Sequence, residues 1–242
     1  MRTRPRPSPR AGQGGFTLVE IAIVLVIIGL LIGGLVTPLT MQIEQRKQSD
    51  TQRQLDEARE ALIGFAMRNG YLPCPAISAS NGQEDRGAEG RCTNERRVGY
   101  LPWATLGLAK LDSWNHLFRY SVTPNFADSV HLFSLQTLRD ITVASRDGAG
   151  NLVPATASAD IPAVVMSHGK NGFGASNDLG GPIIDTSTTN QDEKINANSV
   201  NAFIARGPND NPAAPGGEFD DLVVWVSPNI MFNRMVTAQR LP

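Results

Sequence analysis

The chain has 242 residues, room for one globular domain of roughly 150 residues plus appendages. Its formal charge of −1 hides an asymmetry: Arg2, Arg4, Arg6 and Arg10 stand in the first 15 residues without an acidic neighbour, leaving 18 basic against 23 acidic groups elsewhere. Nucleic-acid binding rests on neutralising phosphates with Lys and Arg, so no nucleic-acid partner is expected.

No charged residue occurs between Ile21 and Ile43, and residues 21–36 read IAIVLVIIGLLIGGLV, apolar on every face. Extended back to Phe16, the run to Leu39 has 24 residues, enough to cross a hydrocarbon core of ~30 Å as a helix. The arginines ahead of it predict a cytoplasmic N-terminus with the remainder outside. Glu20 is an acid just inside this stretch, where an ionisable group costs up to about 3 kcal/mol at the membrane centre. Either its carboxylate reaches headgroup water or it has a dedicated partner, the obvious one being an amino group freed by cleavage on a neighbouring subunit. No small-x-small cleavage site follows the apolar run; Gly14-Gly15 instead precedes Phe16, so the helix is expected to stay attached.

Past Pro38 a polar run, residues 42–54, precedes Leu55, Ala58, Leu62 and Phe65, spaced three or four apart on one helical face that should pack on a head. The polar run itself is expected in solvent or against other subunits. Asn69-Gly70 is a stop signal, and Pro73 and Pro75 forbid continuation. Such a helix would be ~80 Å long.

Short apolar runs separated by Gly, Pro, Asn and Asp then predict a small antiparallel sheet. Strands are expected at 118–122, 130–135, 141–144, 163–167 and 222–226, with the last, LVVWV, as the central one. Ser227-Pro228 suits a helix start, predicting a closing helix over 229–239. Cys74 and Cys92 are 18 apart with no C-x-x-C spacing and read as one structural pair. In an oxidising compartment a disulfide worth about 3 kcal/mol is the natural state; two buried free thiols are the other reading. Ser167-His168 with Asp178 comes nearest to a catalytic triad, but neighbours on a strand face opposite ways. With no G-x-S-x-G elbow, metal-ligand spacing or phosphate loop, no enzyme is expected.

Residues 15–20, GFTLVE, resemble the class III signal of type IV prepilins and type II secretion pseudopilins. The resemblance implies that prepilin peptidase cuts after Gly15 and methylates Phe16. It further implies that Glu20, fifth in the mature chain, pairs with a neighbour's N-terminal amine during assembly. The family's helix-loosening proline usually falls one residue earlier than Pro38. Residues 111–122, LDSWNHLFRYSV, are similar to the D-P-W-G-N-x-Y-x-Y stretch of type II major pseudopilins: Asp112, Trp114 and Tyr120 are retained and Phe118 replaces the first tyrosine. Ser113, Asn115 and His116 replace its proline, glycine and asparagine. From the residues alone, Trp114 and Tyr120 are core aromatics beside a turn capped by Asp112. Residues 167–181, SHGKNGFGASNDLGG, followed later by FDDLVVW, resemble the loop that holds calcium in those pseudopilins. The implied ligands are Asp178, Asp220 and Asp221, with Asn171 and Asn177 as further candidates. Simple turn chemistry is the alternative, and an insertion of about 40 residues breaks the family spacing.

These readings combine into an α+β, pilin-like chain: a long N-terminal transmembrane α-helix packed on a small antiparallel β-sheet head with long loops. Its expected parts are a leader at 1–15, a helix at 16–69 with its membrane part at about 16–39, and a periplasmic head at 70–242. The expected function is that of a minor pilin-like subunit of a type II secretion pseudopilus. The alternative is a minor type IV pilin acting in pilus assembly, adhesion or DNA uptake. Expected partners are prepilin peptidase, other pilin or pseudopilin subunits, the inner-membrane assembly platform and the lipid bilayer.

Overall fold

The computed structural model describes residues 15–184 and 187–241, the side chains of 32–38 excepted; leader residues 1–14 lie outside the described residues. Helix α1 (Leu18–Asn69) runs through Pro38 unbroken, and the chain divides into two compact units, one ending at Arg46 and the other Lys47–Pro242. In the first unit the described apolar side chains, among them Phe16, Leu25 and Leu30, are exposed. Among the described residues no helix is long and apolar enough to cross a membrane. The expected span of 16–39 includes residues 32–38, whose side chains lie outside the described residues.

The second unit begins with the C-terminal part of α1. The expected stripe is its buried face: Leu55, Ala58, Leu62 and Phe65 are buried, joined by Ile63 and Ala66. Contact with the head starts a turn earlier than the apolar pattern, because Thr51 is also buried and its hydroxyl accepts the Ser113 amide at 3.2 Å. The polar run is therefore not wholly solvated.

Strands β1 (Val98–Tyr100), β2 (Arg119–Val122), β5 (Ala163–Ser167) and β7 (Leu222–Trp225) form an antiparallel sheet in the order β1-β2-β5-β7. Strand β5 is buried along its whole length because both of its faces are covered. Ala163 and Val165 join the core with α1, while Val164 and Met166 meet Ile141, Val143, Ile161 and Phe203 on the other side. That second layer is a smaller sheet of β3 (Thr142–Arg146), β4 (Leu152–Pro154) and β6 (Ala202–Ile204), in the order β4-β3-β6 with β3 and β6 parallel. Helix, sheet and sheet thus make three layers, β5 lying in the middle one.

The expected antiparallel sheet is present, while two expectations need correction. Beside that sheet lies the second, smaller one, because the segment that follows Gly181 returns through α3 (Gln191–Asn198) to lay β6 parallel to β3. The run LVVWV is an edge strand rather than a central one, its alternation sending Leu222 and Val224 to one core and Val223 and Trp225 to the other. Residues 130–135 form no strand, since the amides of Val130 and His131 are taken by the Asp128 carboxylate instead of a ladder partner. Only Phe133 of that run enters the core, stacked on Phe126. The chain closes with α4 (Pro228–Thr237), whose first position is Pro228, where a missing N–H costs nothing.

Candidate functional sites

The first site is the start of α1. Thr17 and Glu20 form a reciprocal cap: the Glu20 amide donates to Thr17 Oγ1 at 3.2 Å, and Glu20 Oε2 accepts the Thr17 amide at 2.8 Å and its hydroxyl at 2.9 Å. This satisfies donors that a helix start leaves unpaired, so Glu20 has a structural task within its own chain that the sequence reading missed. The pattern T-x-x-E ahead of an apolar run is its sequence signal. Gly15 lies beside it in open space, where an added Cβ would meet nothing within 4 Å. Nothing among the described residues therefore demands a glycine there.

The second site is a largely buried group of carboxylates in the head. Glu193, on the first turn of α3, meets Asp220 and Asp221, which lead into β7; ligand oxygens of all three lie within 4.8 Å of one another. Glu193 is held by both neighbours of its loop, accepting Asn171 Nδ2 at 3.0 and 2.9 Å, Asn190 Nδ2 at 2.7 Å and the Asp220 amide at 2.8 Å. Asp220 Oδ2 accepts the Asn171 amide at 2.8 Å, and Asp221 Oδ2 accepts Asn196 Nδ2 at 2.7 Å. One oxygen each of Asp220 and Asp221 is buried with no hydrogen-bond partner among the described residues. Neither Glu193 nor Asp220 has an ion-pair partner there, and Asp221 has only His168 Nδ1, at 3.6 Å.

Burial raises Asp220 to about 8, with the charges of Glu193 and Asp221 adding to the effect; burial and then Asp221 likewise raise Glu193. Three converging carboxylates with two orphaned buried oxygens make a site that wants positive charge. Its all-oxygen donor set fits a hard divalent cation such as calcium.

This cluster only partly matches the residues expected. Asp220 and Asp221 are present, but Asp178 is exposed and takes no part, its backbone carbonyl instead accepting Lys110 Nζ at 2.6 Å. Glu193 takes its place. Asn171 contributes as a donor that orients Glu193, and Asn177 does turn chemistry, its Oδ1 accepting the amides of Leu179 and Gly181. Nearby, the Ser167 hydroxyl donates to Asp112 Oδ2 at 2.6 Å and not to His168. Asp112 also accepts the amides of Trp114 and His116, capping a turn in which Asn115 has φ 67°, a left-handed conformation that suits glycine or asparagine. Tyr120 is fully buried, its hydroxyl donating to the Pro73 carbonyl at 3.1 Å.

A disulfide joins Cys74 to Cys92, their Cα atoms 5.4 Å apart. Inside the loop it closes, Arg86 donates to the carbonyls of Gly90, Ala127 and Leu72 and pairs with Glu84, fixing the loop to the core.

In comparison with known proteins, residues 10–36 match the family described as the prokaryotic N-terminal methylation motif. The chain carries the prepilin-type cleavage and methylation motif. The matched window contains Gly15, Phe16 and the Thr17–Glu20 cap, and Glu20 is its only acid. No curated protein and no solved structure matches the chain.

Proposed function

We propose that this chain is a minor, pilin-like structural subunit of a type II secretion pseudopilus. Prepilin peptidase removes the leader after Gly15 and methylates Phe16. The apolar start of α1 then lies in the inner membrane with the head in the periplasm, and the subunit enters a filament with other pilin-like subunits at the inner-membrane assembly platform. The observation that carries this reading is the motif at 10–36, in which a lone acid stands five residues past a glycine that no described residue crowds. Glu20 supplies the charge for a neighbour's new N-terminal amine, an interaction strengthened by a low-dielectric surrounding. The disulfide suits a head exposed to an oxidising compartment.

We further propose that Glu193, Asp220 and Asp221 hold a divalent cation, calcium by donor chemistry. When bound it neutralises charge that the fold otherwise buries, and ties α3 to the entry of β7. This feature favours the secretion reading over a minor type IV pilin.

The test is intact mass and N-terminal sequencing of the membrane-extracted protein from cells with and without their prepilin peptidase. A chain beginning at methylated Phe16 only when the peptidase is present is the expected result. An uncut Met1 start, or cleavage beyond Val36, sinks the proposal.

A further inference from the structure

Between residues 70 and 227 the chain has eight arginines. Six are ion-paired: Arg86 with Glu84, Arg91 with Asp128, Arg97 with Asp140, Arg139 with Asp160, and Arg146 and Arg206 with the same Asp192. The other two, Arg96 and Arg119, form no ion pair among the described residues, and both line one cleft of about 280 Å³. Arg119, on β2, is half-buried; its Nη2 donates to the Ser199 carbonyl at 2.9 Å, while its Nε is buried without a partner among the described residues. Burial lowers its pKa against the opposing pull of Asp221, the sign of a guanidinium short of counter-charge. Arg96, just ahead of β1, is exposed.

Among the described residues no carboxylate lines the cleft. Its polar wall adds Tyr100 and Ser176, whose hydroxyls are 3.2 Å apart, and His168; Ile77, Val98 and Leu117 supply an apolar wall. The positive character is local, since the chain past residue 15 carries more acidic than basic groups.

We propose that this cleft binds a small organic carboxylate, its anionic end between Arg96 and Arg119 and its carbon skeleton against the apolar wall. The guanidinium fork matches a planar carboxylate. The volume lies just under the usual range of ligand pockets, roughly 300–1,000 Å³, which limits the ligand to about one residue or one sugar ring. A peptide C-terminus and an acidic sugar share this chemistry. Inorganic phosphate would use the arginines but leave the apolar wall idle.

The test is calorimetric titration of the full chain in detergent with N-acetylalanine and with galacturonate, each against its uncharged amide, at fixed ionic strength. Saturable binding of at least one acid and none of its amide is expected, the responding acid telling a chain terminus from a sugar. Arg96→Gln, at an exposed side chain that holds no part of the fold, weakens binding at least tenfold, about 1.4 kcal/mol. Arg68→Gln, an exposed arginine on α1 outside the cleft, leaves it unchanged. No saturable response to either acid overturns the proposal. So does an amide binding like its acid, Arg96→Gln binding like the parent, or phosphate competing as tightly as the acids. These readouts do not depend on cleavage or filament assembly, so failure here and failure of the pilin-like reading are separate events.

Discussion

Asp220→Asn probes the carboxylate cluster most directly. Asp220 is raised from 3.8 to about 8 in the folded chain, so between those values the native state holds a proton that the unfolded chain has lost. The stability this group contributes is fully present below about pH 4 and is lost as pH rises towards 8. Over that interval the effect is on the order of 6 kcal/mol. A cation bound as proposed would supply the missing positive charge and compete with the proton. At a hundredfold excess over its Kd it stabilises by about 2.7 kcal/mol, roughly 5–11 °C in Tm for a unit of this size. The assay is thermal unfolding of the full chain in detergent, followed by near-UV circular dichroism, with chelator or with saturating calcium. Without calcium the parent loses stability between about pH 5 and pH 8, and calcium restores more at pH 8 than at pH 5. The asparagine variant can still accept the Asn171 amide, so it remains folded, its Tm varies less with pH, and calcium no longer shifts it. A parent Tm that rises over this interval without calcium, or a variant that keeps the calcium response, would refute the reasoning.

Glu20→Gln retains an oxygen for the Thr17 amide but no charge, whereas Glu20→Ala loses both; if charge pairing drives assembly, both variants fail to enter sheared filaments, and a glutamine variant assembling like the parent shows that the cap alone matters. Cys92→Ser removes the disulfide and costs about 3 kcal/mol, a fall in Tm of roughly 6–12 °C, and reductant should lower the parent by a similar amount without affecting the variant. Gly169→Ala sets a Cβ 2.3 Å from both the carbonyl and Oδ1 of Asp220, at φ +59°; calcium affinity measured by titration falls at least tenfold, and unchanged affinity means that Gly169 does not shape the site. Leu62→Ala, fully buried between α1 and the sheet, destabilises by about 2–5 kcal/mol in denaturant titration.

What the sequence disclosed follows the range of the forces involved. The stripe from Leu55 to Phe65 rests on local periodicity, the stop after Asn69 on glycine and proline, and the strand at 163–167 on a short apolar run; each is a local signal and was legible. Strands of three residues, such as β1, β4 and β6, are too short to carry a period and went unseen. Residues 130–135 look like a strand by composition, but Asp128, two residues upstream, captures the amides a ladder would need. The disulfide could be anticipated because only two cysteines exist. The cap at Thr17 is legible as the motif T-x-x-E, although Glu20, an acid in an apolar run, stands out for its charge more than for its ordinary role in starting a helix.

The carboxylate cluster shows why family spacing misled about Asp178. The calcium-loop resemblance directs attention to residues 167–181, where the acid present is exposed, and treats the following insertion as an interruption. That insertion supplies the third carboxylate of the cluster. It forms α3, whose N-terminal turn carries Asp192 and Glu193 side by side. Asp192 is clamped between Arg146 and Arg206 at 2.6 and 2.7 Å, fixing α3 to β3. Glu193, one residue on, faces Asp220 and Asp221 and forms no ion pair among the described residues. Two adjacent buried acids thus receive opposite treatment, one neutralised by two arginines and the other left against two more carboxylates. A fold that can place arginines so closely around Asp192 had the means to neutralise Glu193, and leaving it in negative company is the arrangement expected where a bound cation provides the balance.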